Sequence, residues 1–126
     1  ILENINYRKG IGTSIALGMN NIDIDTDGVM IIPADMPYIC SKDLVNLENK
    51  FTELNCVKVI MPEHNYRIGN PVILPRKYFD TLKNLKDDFG ARSLIRKKDI
   101  ITLKTGFGTI FDIDTKAELA KTKANY

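Results

Sequence analysis

A three-layer α/β domain with a mainly parallel sheet is the fold class this sequence predicts, and three features carry the prediction. Residues 28–32 (Gly-Val-Met-Ile-Ile) and 57–61 (Val-Lys-Val-Ile-Met) are short apolar runs bounded by turn residues, the pattern of strands covered on both faces. Between them Leu44, Leu47, Phe51 and Leu54 recur at helical spacing, so an amphipathic helix packed on the sheet joins one strand to the next. The third feature is the exit of the first run, where Asp35 stands alone between Pro33 and Pro37. Open α/β sheets meet their ligands outside the carboxyl ends of their strands, so Asp35 lies where a ligand or metal would be met. A single carboxylate there suits Mg2+, which fills its shell with water and substrate phosphates. A turn or capping role for the acid is the competing explanation.

The chain has 126 residues, 44% hydrophobic and 27% charged, which is enough for one domain with a real core. Its net charge of +2, without a basic stripe interleaved with aromatics, gives no support for nucleic-acid binding. The longest apolar run is too short to cross a bilayer and no signal pattern opens the chain. No membrane partner is therefore expected, and a cytoplasmic location is the default. Cys40 and Cys56, with a single histidine, do not make a zinc site; both are expected to be reduced, partly buried thiols. The chain opens at Ile1 in a segment that reads as the middle of a domain, so an amino-terminal portion is expected to precede it.

Residues 9–14 (Lys-Gly-Ile-Gly-Thr-Ser) read as a glycine-flanked turn before a short helix, with Thr13 or Ser14 as its cap. The acidic run from Asp23 to Gly28 matches the opening of a calcium loop, but Ala34 stands where the twelfth-position glutamate should be, so the match fails. Ser41 is a plausible cap for the central helix, and Asp43 in its first turn meets the helix dipole. Pro62 is expected to end the second strand. The loop from Glu63 to Pro71 then gathers an acid, an imidazole, a guanidinium and an amide before a short strand, Val72 to Leu74.

Pro75 fits a first helical position, with Tyr78, Phe79, Leu82 and Leu85 on one face behind it. A break at 86–90 precedes a second helix over 91–98, whose Arg96, Lys97 and Lys98 would offset its dipole; Arg92 at its start is the cation that dipole logic disfavours. Strands are expected over 100–104 and 109–113, separated by a glycine turn. The second ends on Asp112 and Asp114, which share a face of an extended chain and together suit a cation. Thr115 and Glu118 form a capping box for a last helix. No G-x-S-x-G elbow or second partner for His64 supports nucleophilic hydrolysis.

Taken in order, Gly12-Thr13-Ser14, Asp27-Gly28 with Ala34-Asp35-Met36-Pro37, the Arg67-to-Val72 segment, Gly90-Ala91-Arg92 and Asp112-Ile113-Asp114-Thr115 resemble the molybdenum cofactor cytidylyltransferases, within the larger group of MobA-like nucleotidyltransferases. The resemblance runs from about Asn4 to about Leu119. It implies a Rossmann-like three-layer α/β/α nucleotidyltransferase fold, amino-terminally truncated here, so that residues 1–126 form the carboxyl-terminal portion of a single transferase domain. It also implies Mg2+-dependent transfer of CMP from CTP, favoured over GTP, to molybdopterin with release of pyrophosphate. Asp35 then matches the family's metal-binding catalytic acid, and it also lies at the nucleotide. Gly12, Thr13 and Ser14 match its contact to base and ribose, and Asp112 or Asp114 its second polar group near the metal. Arg67, Gly69, Asn70 and Arg92 are the expected acceptor-binding residues.

Three positions depart from the family: Ala34 replaces glycine, Met36 glutamine and Asn70 histidine. The family's glycine-rich triphosphate loop, with its arginine and lysine, has no counterpart in these residues, so the chain alone is expected to be inactive. An open sheet position left by a missing first strand would favour self-association, and a molybdoenzyme is the other expected protein partner. The rival reading is a non-catalytic module that holds a nucleotide or molybdopterin and delivers it.

Overall fold

The computed structural model describes residues 1–86, 90–114 and 119. Its sheet is built around β2 (Val59–His64), whose first four residues are buried. On one side β2 pairs in parallel with β5 (Ile100–Lys104), in register from Val59↔Ile100 to Glu63↔Lys104. On the other it pairs antiparallel with β4 (Val72–Pro75), and β4 pairs antiparallel with β1 (Gly28–Ile31). A two-residue strand, β3 (Arg67–Ile68), folds back on the end of β2. Among the four longer strands β4 alone is reversed. β1, β2 and β5 therefore run the same way, and their carboxyl ends share one edge.

The consecutive apolar residues of these strands divide between two cores, as strand alternation requires. Val29, Ile31, Val59, Met61, Val72 and Leu74 pack with Met19 of α1 (Ile11–Met19) and with Phe79 and Leu82 of α3 (Phe79–Lys83). Met30, Ile60, Ile73, Ile101 and Leu103 face the other way, onto Leu47 and Phe51 of α2 (Ser41–Glu53). Helices thus cover both faces and complete the three layers. Leu47 is fully buried, so its truncation to alanine would remove about 2–5 kcal/mol.

Several local expectations are corrected. Among the described residues β1 pairs on one side only; it is half-buried along its length, and Ile32 lies outside it, exposed. Pro62 does not end β2 but lies inside it; its carbonyl accepts from Gly69 N at 2.9 Å where pairing passes from β4 to β3, so the missing N–H leaves no ladder bond unmade there. Residues 65–66 make a two-residue hairpin turn with both φ angles positive, Asn65 at 49° and Tyr66 at 63°, the geometry that suits the twist of the flanking strands. α1 begins at Ile11 behind Gly10, so Thr13 and Ser14 lie inside its first turn instead of capping it. α2 likewise starts at Ser41 behind Cys40, an exposed thiol that donates to Asp43 Oδ2 at 3.2 Å.

Pro75 is the last residue of β4, and a 3-10 turn, Arg76–Tyr78, leads into α3. The helix expected over 91–98 is two 3-10 turns, Ala91–Leu94 and Lys97–Asp99, with Arg96 extended between them. The strand expected over 109–113 is replaced by a 3-10 turn, Phe107–Ile110. Thr109 drives that change: its buried hydroxyl donates to Gly106 O at 2.9 Å and lies 2.8 Å from Thr105 Oγ1, a local satisfaction that competes with a sheet ladder. Residues 87–89 of the break expected over 86–90, and the capping residues 115–118 of the expected last helix, lie outside the described residues.

Candidate functional site

At the carboxyl edge shared by β1, β2 and β5, the main chain of Asp35 is tied to a distant segment: its carbonyl accepts from Ile113 N at 2.9 Å. Ile113 lies between Asp112 and Asp114, so one backbone bond brings together the two carboxylate-bearing segments picked out in the sequence. All three acids are exposed. Among the described residues no group of three or more His, Cys, Asp or Glu side chains is placed to hold a metal. The edge therefore offers oxygen donors from two tethered segments instead of a closed cage. That donor set fits Mg2+, which is usually bound through one or two carboxylates and completed by water and substrate phosphates.

A second group of expected residues also converges. Gly69 is buried, with its N bonded to Pro62 O, and Asn70 N donates to Thr109 O at 2.7 Å. A Cβ on Gly69 would come within 1.8 Å of that same Thr109 oxygen, so only glycine lets the two backbones approach so closely. The Asn70–Pro71 peptide is cis. Arg92 Nη2 donates to Gly69 O and, at 3.1 Å, to Asn70 Oδ1. Its guanidinium is partly desolvated against this loop, which lowers its pKa from the ordinary arginine value. Arginine carries donors only, so its contact fixes which end of the Asn70 amide is oxygen. Asn70 Nδ2 makes no hydrogen bond among the described residues and is left as a donor.

Among the described residues no bond brings the other expected residues to this edge. Asn4 Nδ2 donates to Thr13 Oγ1 at 2.9 Å and Ser14 Oγ at 2.8 Å, while the Thr13 hydroxyl has Asn6 O and Gly10 O as acceptors. Thr13 is thus committed within its own turn, and Ser14 keeps its hydroxyl hydrogen. Gly12 is buried in α1. Arg67 is exposed on the β3 hairpin.

Sequence reasoning missed an aromatic ladder beside the carboxylates. Tyr38 and Phe111 have ring centroids 5.1 Å apart, Phe111 and Phe107 5.3 Å, and Phe107 meets His64 edge-on at 6.3 Å. His64 Nδ1 donates to Thr105 O at 2.8 Å, which leaves Nε2 as the acceptor of the neutral ring. Tyr38 follows Asp35 by three residues and Phe111 immediately precedes Asp112, so aromatic neighbours of the two acids were the available signal. Asp43 is a further positioning residue, since its carboxylate accepts from Gly106 N at 3.3 Å and anchors the turn that carries Phe107.

The family model described as "MobA-like NTP transferase domain" matches residues 1–101. Among solved structures, a homologue of Mycobacterium tuberculosis Rv0371c from Mycobacterium sp. strain JC1 superposes with a TM-score of 0.74 at 20% identity, covering 89% of this chain and 56% of that one. Rv0371c from Mycobacterium tuberculosis H37Rv superposes with a TM-score of 0.73 at 15% identity, covering 96% and 61%. At these identities the likeness is one of fold, and this chain spans somewhat over half the length of either structure. No curated protein matches the chain.

Proposed function

Because the chain belongs to the MobA-like NTP transferase domain family, we propose that it forms the carboxyl-terminal, metal- and acceptor-facing part of a nucleotidyltransferase. The proposed reaction moves CMP from CTP to molybdopterin and releases pyrophosphate; the choice of CTP over GTP rests on the motif resemblance. The Asp35–Ile113 backbone bond carries this reading, since it tethers the acid after β1 to the segment bearing Asp112 and Asp114.

Asp35, with Asp112 or Asp114, would hold Mg2+, which supplies neutralisation of the charge that builds on the transferred phosphate. Asn70 Nδ2 would donate to an oxygen of the acceptor, and Arg92, bonded to Asn70 Oδ1, is its positioning residue. The Tyr38–Phe111–Phe107 ladder offers ring faces and edges to a planar group. Ser14 keeps a donor for the nucleotide, whereas Thr13 does not. No helix among the described residues is long and apolar enough to cross a membrane, in keeping with a proposed cytoplasmic site of action.

The test is turnover of CTP and GTP with molybdopterin and Mg2+, comparing the full gene product, its Asp35→Ala variant and the 126-residue chain. CTP turnover by the full product, lost in Asp35→Ala and absent from the chain alone, is the expected pattern. An active Asp35→Ala enzyme would remove the metal assignment. Nucleotide binding without turnover by the full product would replace the enzyme with a delivery module.

A further inference from the structure

At the opposite end of the sheet, where β2 and β5 begin, a cleft of about 430 Å3 opens between α3 and the two 3-10 turns of residues 91–99. Its size falls within the range of small-molecule sites. Lys77, Tyr78, Thr81, Arg96, Lys98 and Asp99 line it. The one carboxylate among them is already engaged on both oxygens: Lys77 Nζ lies 2.9 Å from Oδ1, and the buried Tyr78 hydroxyl donates to Oδ2 at 2.7 Å. Tyr78 Oη in turn accepts from Arg96 N at 3.2 Å, which fixes the backbone from which the Arg96 side chain projects. Lys58 Nζ donates to Lys98 O at 3.2 Å and adds positive potential from the start of β2.

The charge here is out of proportion to the molecule. The whole chain carries only +2, yet Lys77, Arg96 and Lys98 line the cleft with a single carboxylate, Asp99, whose pKa Lys77 and Lys58 both lower. Arg96 and Lys98 form no ion pair among the described residues. Two unpaired cations on the wall of one recess would attract an anion entering it. A guanidinium fork, two ammonium groups and the Thr81 hydroxyl offer donors from several directions. That array matches a group with several anionic oxygens. Three cations line one recess of limited volume, which suits a small ligand better than a polynucleotide backbone.

We propose that this cleft binds a small phosphate-bearing molecule, held chiefly by Arg96 and Lys98, at a site separate from the Asp35 edge. Inorganic pyrophosphate is the probe, and isothermal titration calorimetry with backbone amide NMR is the readout. Saturable binding is expected, with the largest amide shifts at Tyr78 and over 96–99. The double variant Arg96→Glu/Lys98→Glu should weaken binding about tenfold or more, and Arg96→Gln by a smaller factor. Both side chains are exposed, and amide spectra that overlay wild type away from the cleft would show that the variants fold. Arg92→Gln should leave binding unchanged. Absence of saturable binding, or wild-type affinity in the double variant, would overturn the proposal. Shifts centred on Asn70 with loss of binding in Arg92→Gln would overturn it too, by moving the anion site to the other edge. These outcomes do not depend on nucleotidyl transfer.

Discussion

Two ends of one sheet hold aspartates in opposite circumstances. At the amino end Asp99 is buried, with Lys77 on one oxygen and Tyr78 on the other, and its pKa is lowered to about 2, chiefly by the Lys77 bond and then by the Tyr78 bond. At the carboxyl end Asp35 and Asp112 are exposed, and their carboxylates make no hydrogen bond among the described residues, although the Asp35 main chain is fixed to Ile113. A carboxylate with both oxygens satisfied by its own protein has little left for a ligand. One whose backbone is pinned while its oxygens stay open is arranged to receive something. The difference lies in partners, not in residue type.

The largest expected effect tests that contrast at the carboxyl end. Asp35→Ala in the full gene product should lower turnover by about 10²–10³-fold, the usual scale for removing one electrostatic group from a transfer site, with little change in thermal midpoint. A large fall in stability with turnover retained would mean that Asp35 resembles Asp99 after all. Next, Tyr78→Phe should destabilise the chain by about 1–3 kcal/mol in urea unfolding, because Asp99 Oδ2 and Arg96 N lose a shared partner. Its turnover should be unchanged.

Arg92→Lys sharpens the carboxyl end further. Both contacts come from one guanidinium nitrogen, Nη2, and lysine's flexible ammonium does not reproduce that rigid placement, so the acceptor KM should rise several-fold while kcat changes less. Equal loss of both would assign Arg92 a role in the reacting state. The smallest effect is a pH dependence. The Asp99 pKa is lower folded than unfolded, so its stabilisation is complete above the unfolded value of about 4 and is lost as pH falls through about 2. Lys77→Met should shrink that loss, measured as the urea midpoint between those two pH values.

Element type was legible wherever burial has a period. Residues 28–32, 57–61, 72–74 and 100–104 read as strands and the Leu44-to-Leu54 pattern as a helix, because each must present apolar side chains to fixed sides, and the structure has an element at each. Element ends were less legible. Whether Pro62 stops β2 depends on whether a neighbour needs its N–H, and Gly69 asks only for its carbonyl. Residues 109–113 have the composition of a strand, but Thr109 satisfies itself within its turn and Gly108 packs against Tyr38 O, which a Cβ would approach to 1.9 Å. Sequence also marked Gly69, Asn70 and Arg92 as neighbours in function without showing that Arg92 bonds the other two.

By itself, then, the sequence determined two covered strands, the helix between them, and an acid at the exit of the first, since hydrophobic period and turn chemistry act on neighbouring residues. Only the tertiary structure decided that β4 runs against its neighbours, that Ile113 reaches Asp35 across 78 positions of chain, and that Asp99 is closed while Asp35 is open. Those outcomes depend on which backbone and side-chain groups meet after the chain folds. Residues far apart in sequence meet only through packing, and no local pattern records it.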